Sequence, residues 1–259
     1  MIEEPYRWVE AVANRREYIE AQLASGSPIA AVSCGDGILF VTLGRARQKV
    51  FEIYDRIAMG AIGHPGDIER LRMAAIELAS TEGFARSAAD VSLRRLAHYS
   101  LSPVMKAAFE QVYGPPYLAR LLFAEVGATP ETDFYLRLEY DGAISTNGSN
   151  RGGTIETFAA LCATAHSTKM METFLCEAHR PEASLEEAIS VAVDAWSVGH
   201  MTLKEDSNRE MPDAGAIAKY RQDQLATVGI EAAILERNSG VPMRYRSLSD
   251  DEVRAVVQV

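Results

Sequence analysis

Two groupings of side chains in this sequence have types and spacings that could do chemistry. Arg45, Arg47 and Lys49 alternate along the chain. In an extended segment a period of two puts all three cations on one face, where they could hold an anionic group. The same pattern also suits a charged edge strand that discourages sheet-to-sheet aggregation, and spacing does not decide between the two. Cys162 and His166 stand four residues apart and, on one helix, would make half of a tetrahedral metal site. No second pair at ligand spacing completes it, so two residues of a helix face is the plainer reading, and neither a metal nor a cofactor is expected. The three cysteines, Cys34, Cys162 and Cys176, are odd in number and lack CxxC spacing. They argue against a disulfide framework and fit a reducing cytoplasm.

Such groups need a core to position them, and 259 residues can bury one. The formal net charge of −10 gives no general attraction for phosphate backbones, which disfavours nucleic acid as a partner. No uncharged apolar run is long enough to span a bilayer. Glu3, Glu4, Arg7 and Glu10 leave no apolar stretch for a signal peptide at the N-terminus.

Hydrophobic spacing predicts a helix from Pro5 to about Ala24, ended by Ser25-Gly26. Strands are predicted at Pro28–Cys34 and Gly37–Leu43 around a Gly35-Asp36 turn, then at Val50–Asp55 and Ile57–Gly63. The period then becomes helical over Asp67–Glu82 and Asp90–Tyr113, with Pro103 a kink or break in the latter. Strands return at Tyr117–Val126 and Asp133–Tyr140. Thr154–Ala178 is predicted as helix, and the Ser184-x-x-Glu187 capping box opens another to about Val198. The polar stretch 200–228 has helical character near Ala214–Leu225. Ile230–Arg237 reads as a strand, and Ser249-x-x-Glu252 caps a last helix. Blocks of strands and blocks of helices predict segregated α+β layers rather than a doubly wound parallel sheet.

Several of these segments resemble proteasome core-particle subunits of the bacterial, actinobacterial-like α type. The resemblance rests on Ile38–Val41, Gln48–Ala58, Gly60–Gly63, Asp67 with Arg70–Ala74, Leu118–Val126, Tyr135–Gly142, Ser184–Ala195 and Ile230–Arg237. It covers most of the chain and is weakest over 143–183 and 200–228. It implies a four-layer αββα sandwich of the Ntn-hydrolase type. It also implies one domain over 1–259, with a gate segment at 1–6, an N-terminal helix at 7–25 and the sandwich at 26–259.

Catalytic subunits of that family use an N-terminal threonine whose own amine is the base. The equivalent position here is Ser27. The alternative to a scaffold is therefore a β-like peptidase using Ser27 after loss of residues 1–26. Three features oppose it and make Ser27 a vestigial nucleophile position. An amphipathic helix precedes Ser27. Pro28 restricts the residue before it and removes a backbone donor. No carboxylate lies between Asp36 and Glu52 to hold a catalytic lysine. The expectation is a subunit with no catalytic residues.

The resemblance places Lys49 in a pocket between neighbouring subunits of the assembled ring, which receives the C-terminal carboxylate of a ring-shaped ATPase or other activator. Gly63, fourteen residues on, matches a second position of that pocket. It makes Met1, Ile2, Glu3, Glu4, Pro5 and Tyr6 a gate at the ring axis, where repeated acidic residues would repel one another. The partners it implies are copies of this chain in a heptameric ring, proteasome β-type subunits, the activator, and protein substrates in transit. A paralogue that forms rings without a β partner is a third possibility.

Overall fold

The computed structural model describes residues 5–44, 47–111, 114–147, 156–204 and 210–257. Helix α1 (Pro5–Leu23) leads into β1 (Ile29–Cys34), β2 (Gly37–Gly44), β3 (Val50–Tyr54) and β4 (Ile57–Gly63). Helices α2 (Pro65–Ala85), α3 (Leu93–Leu96) and α4 (Ser102–Glu110) follow, then β5 (Ala119–Glu125), β6 (Phe134–Leu138), β7 (Ile144–Thr146) and β8 (Phe158–Leu161). The chain continues as α5 (Ala165–Ala178), α6 (Leu185–Lys204), α7 (Ala214–Leu225), β9 (Gly229–Glu236), β10 (Tyr245–Leu248) and α8 (Asp250–Val257).

The strands form two antiparallel sheets, one ordered β10-β9-β2-β1-β8 and the other β3-β4-β5-β6-β7. Ile29, Ala31, Ile38 and Phe40 of the first sheet meet Ala58, Ile62, Leu122 and Tyr135 of the second in a core between the sheets. The opposite face of the first sheet packs on α5, α6 and α8 through Met171, Leu175, Ala192, Trp196 and Val253. The opposite face of the second packs on α2, α3 and α4 through Leu71, Ala75, Leu93 and Met105. The result is the αββα stack of the sequence expectation. Central strands covered on both faces lose alternation, so β1 is buried at all six positions.

Local chemistry fixes the helix starts. His64 Nδ1 accepts the Gly66 N–H at 3.2 Å ahead of α2, with Pro65 in its first turn. Ser184 and Glu187 form a reciprocal capping box at α6, as do Ser249 and Glu252 at α8. None of the described helices is long and apolar enough to cross a membrane.

Four expectations need correction. Thr154–Ala178 is not one helix: Phe158–Leu161 is a strand, and α5 begins at Ala165 behind a Thr164 N-cap. A fully buried Phe-Ala-Ala-Leu run has no period that separates strand from helix. Asp90–Tyr113 narrows to residues 93–110, which run on as helix through a π-helical turn at Ala97–Leu101, with Pro103 in the first turn of α4. Cys162 follows β8 and is buried, while His166 lies exposed on α5, so they share no helix face. The N-terminal helix begins at Pro5, as its hydrophobic spacing predicts, rather than at residue 7 as the resemblance implies.

Candidate functional site: the Lys49 groove and the Ser27 pocket

The ends of β2 and β4 and the starts of β1, β3 and β9 gather at one end of the sandwich. Register fixes this. Thr42 pairs with Glu231 and Gly44 with Gly229 across β2–β9, while Val50 pairs with Gly60 across β3–β4. Ser27 and Lys49 both lie at this end.

Arg47 and Lys49 do not lie on a strand. β2 ends at Gly44, β3 starts at Val50, and residues 47–49 are irregular; Arg45 lies outside the described residues. Lys49 is half-buried at the base of this connection. Its N–H donates to both carboxylate oxygens of Glu231 at 2.9 Å, and the Val50 N–H donates to Glu231 Oε1 at 2.8 Å. On the other side of the backbone, Val50 O accepts from Gln48 Nε2 at 2.8 Å and from the Tyr245 hydroxyl at 3.1 Å. One carboxylate from β9 and one phenol from β10 thus clamp the start of β3 across the gap between the sheets.

The Lys49 ammonium is not consumed by this arrangement. Among the described residues no carboxylate oxygen lies within ion-pairing distance of its Nζ, whereas Lys106 does form such a pair. Burial pulls the Lys49 pKa below the usual lysine value, and the charge of Glu231 opposes that shift. Burial raises the Glu231 pKa, against the backbone N–H groups of Val50 and Lys49 and the lysine charge. Lys49, Gly44, Arg47, Gln48, Glu231 and Tyr245 line a groove of about 460 Å³. A desolvated cation in a groove, without an ion-pair partner, suits an incoming carboxylate.

Gly63 closes β4 at the same end. The Ala61 N–H donates to Lys49 O at 2.9 Å, and Gly63 lies two residues further along. Its φ of 141° and the Leu118 carbonyl, which a Cβ would overlap, require glycine there. Of the residues expected at a gate, Met1, Ile2, Glu3 and Glu4 lie outside the described residues, while Pro5 and Tyr6 open α1.

Ser27 is half-buried, and its hydroxyl is occupied on both sides. Oγ donates to the Leu43 carbonyl at 2.5 Å and accepts from Trp196 Nε1 at 2.9 Å. Thr42 Oγ1, 3.5 Å away, donates to Pro28 O. The Trp196 indole stacks on His200 at 4.6 Å between centroids, and His200 Nδ1 lies 2.7 Å from the Tyr220 hydroxyl. Helix α7, from the weakly resembling stretch 200–228, therefore reaches this pocket and is also held to α6 by Arg221–Asp194 at 3.0 Å. Ahead of Ser27 the chain runs back into α1, whose Ile19 and Leu23 are buried against Phe109 and Tyr140.

Glu231, Tyr245, Trp196 and Gly44 escaped the sequence analysis. A signal for Glu231 existed: it is the lone carboxylate inside the apolar run Ile230–Leu235. Its target stands 182 residues earlier, beyond any local pattern.

No family model matches the chain. Curated relatives do. It is 31% identical over 254 residues to "Proteasome subunit alpha" of Actinosynnema mirum, covering 96% of this chain and 85% of the relative. The protein of that name in Streptomyces avermitilis is 32% identical over 254 residues, covering 96% and 87%. That of Streptomyces scabiei is 33% identical over 244 residues, covering 92% and 85%. The chain belongs to the proteasome subunit alpha family.

Proposed function

We propose that this proteasome α-type subunit is a non-catalytic, cytoplasmic component of the core particle that builds the outer ring, admits substrate through an axial gate and docks activator tails. The observation that carries the docking role is the Lys49 ammonium, desolvated at a groove and without an ion pair among the described residues. A ring ATPase ending in a free carboxylate would supply the missing counter-charge. The proposed assembly is a heptameric homo-oligomer stacked on β-type subunits, with unfolded protein passing through.

Support for a non-catalytic role comes from Ser27. A nucleophilic hydroxyl must give its proton to a base, whereas this one is hydrogen-bonded to a main-chain carbonyl, which is too weak a base to take it. Removal of residues 1–26 to free its amine would also strip Ile19 and Leu23 from a packed cluster. The test is to co-express the chain with the β subunit of the same organism, then measure intact mass and peptide hydrolysis. The expected result is a chain that keeps residues 1–26 and a Ser27→Ala particle with unchanged peptidase activity. An N-terminus at Ser27, or activity lost with Ser27→Ala, would replace this function with that of a peptidase. In the same assay, deleting Met1–Glu4 is expected to speed peptide hydrolysis; an unchanged rate would remove the gate.

A further inference from the structure

Two residues beside Lys49 decide where its ammonium can stand. Glu231 reaches from β9 in one sheet to the first residues of β3 in the other and takes the N–H groups of both Lys49 and Val50. Its two oxygens are used on the backbone, so the carboxylate fixes the lysine's Cα without capturing its Nζ. Two consecutive amides that could have bound an incoming anion are already filled by the chain's own carboxylate. The side chain of Lys49 then lies back over the end of β2. A Cβ placed on Gly44 would stand 2.9 Å from Nζ and 3.6 Å from Cε, and among the described residues beyond its chain neighbours nothing else comes within 4 Å of it. The bare Cα of Gly44 is the seat of the ammonium.

We propose that Gly44 and Glu231 are positioning residues that set the Lys49 ammonium for a terminal carboxylate: Glu231 by clamping the backbone, Gly44 by leaving the space that Nζ occupies. This rests on the docking function proposed above. It gives the groove its selectivity. With the Lys49 and Val50 amides taken by Glu231, recognition of the carboxylate falls to the ammonium, and a tail ending in an amide loses that contact. Gly44→Ala is informative because, among the described residues beyond its chain neighbours, its methyl would meet only the far end of a flexible side chain. The fold is retained and the ammonium is displaced.

The probe is a fluorescent peptide of the last eight residues of the ring ATPase from the same organism, made with a free C-terminal carboxylate and as the amide. Both are titrated onto assembled particles by anisotropy, with ring assembly checked by native mass. The wild type is expected to prefer the acid by about tenfold or more. Lys49→Ala abolishes the preference, and if it does not, the docking function itself falls. Gly44→Ala and Glu231→Ala are each expected to cut the preference to about threefold or less while leaving amide binding unchanged. Glu231→Gln, which keeps a carbonyl acceptor for the two amides, restores most of it. An acid preference undiminished in Gly44→Ala, with Lys49→Ala having lost it, would overturn the positioning role and leave docking intact. If Glu231→Ala fails to assemble, Gly44→Ala and Glu231→Gln decide the matter.

Discussion

His179 shows at the scale of one residue how the interior sets chemistry. It follows α5, buried with its ring nearly perpendicular to that of Phe158 at 5.9 Å between centroids, and its Nε2 has no hydrogen-bond partner among the described residues. Burial drives its pKa from the usual histidine value down to about 4, only partly opposed by a backbone hydrogen bond at Thr157. A histidine whose folded pKa is depressed contributes stability that is whole above its unfolded pKa. That contribution fades as pH falls from about 6.5 toward 4. The loss can reach about 3 kcal/mol at the acid end of this window. Melting temperature followed from pH 7 to pH 4.5 should fall more steeply for the wild type than for His179→Gln; parallel curves would refute the assignment. Ser27 and Lys49 teach a complementary lesson. The first is a reactive residue type whose hydroxyl is hydrogen-bonded on both sides. The second is a common surface type kept half out of water with its charge open.

At the scale of elements, Arg120 ties α1 to the sandwich. Its guanidinium is buried on β5 and pairs with Glu20 of α1 at 2.6 Å and with Glu139 at 2.7 Å, and it also donates to the Ala163 carbonyl. The Tyr140 hydroxyl donates to the same Glu20 oxygen at 2.8 Å, and burial together with that bond lifts the phenol to about 12. Removing one partner of a buried ionic network leaves the others uncompensated, so Arg120→Leu should cost about 3 kcal/mol. Protease cleavage within α1 should become faster in that variant. A melting temperature and cleavage pattern equal to the wild type would show that Ile19 and Leu23 hold the helix alone.

Which elements were legible in the sequence follows from the same physics. Strands β1 to β4 lay between unambiguous turns, and α6 and α8 announced themselves by capping boxes. Phe158–Leu161, buried on both faces, carried no period at all. The cations at 45, 47 and 49 alternate in sequence, but Arg47 and Lys49 stand in irregular chain ahead of β3, where alternation does not define a face. Lys49 and Gly63 are candidates that the resemblance alone supplies. The Glu231 clamp could not be read from the sequence, because long-range pairing across two sheets leaves no local trace.

On the scale of the whole molecule, two five-stranded sheets and their helices bring β1, β2, β3, β4 and β9 to one end, where a covered serine and an open lysine lie side by side in the topology. A single chain buries its own sheets but leaves Trp8, Val9 and Tyr18 of α1 exposed at 42%, 67% and 53%. That unfinished surface agrees with a subunit built to stand among copies of itself. The most direct measurement is degradation of an unfolded protein by particles carrying Lys49→Ala, with and without the ring ATPase. The proposed function requires intact rings, unchanged hydrolysis of short peptides and loss of the ATPase-stimulated rate. Stimulation undiminished in that variant would contradict it and leave the cation at position 49 no more than an edge charge.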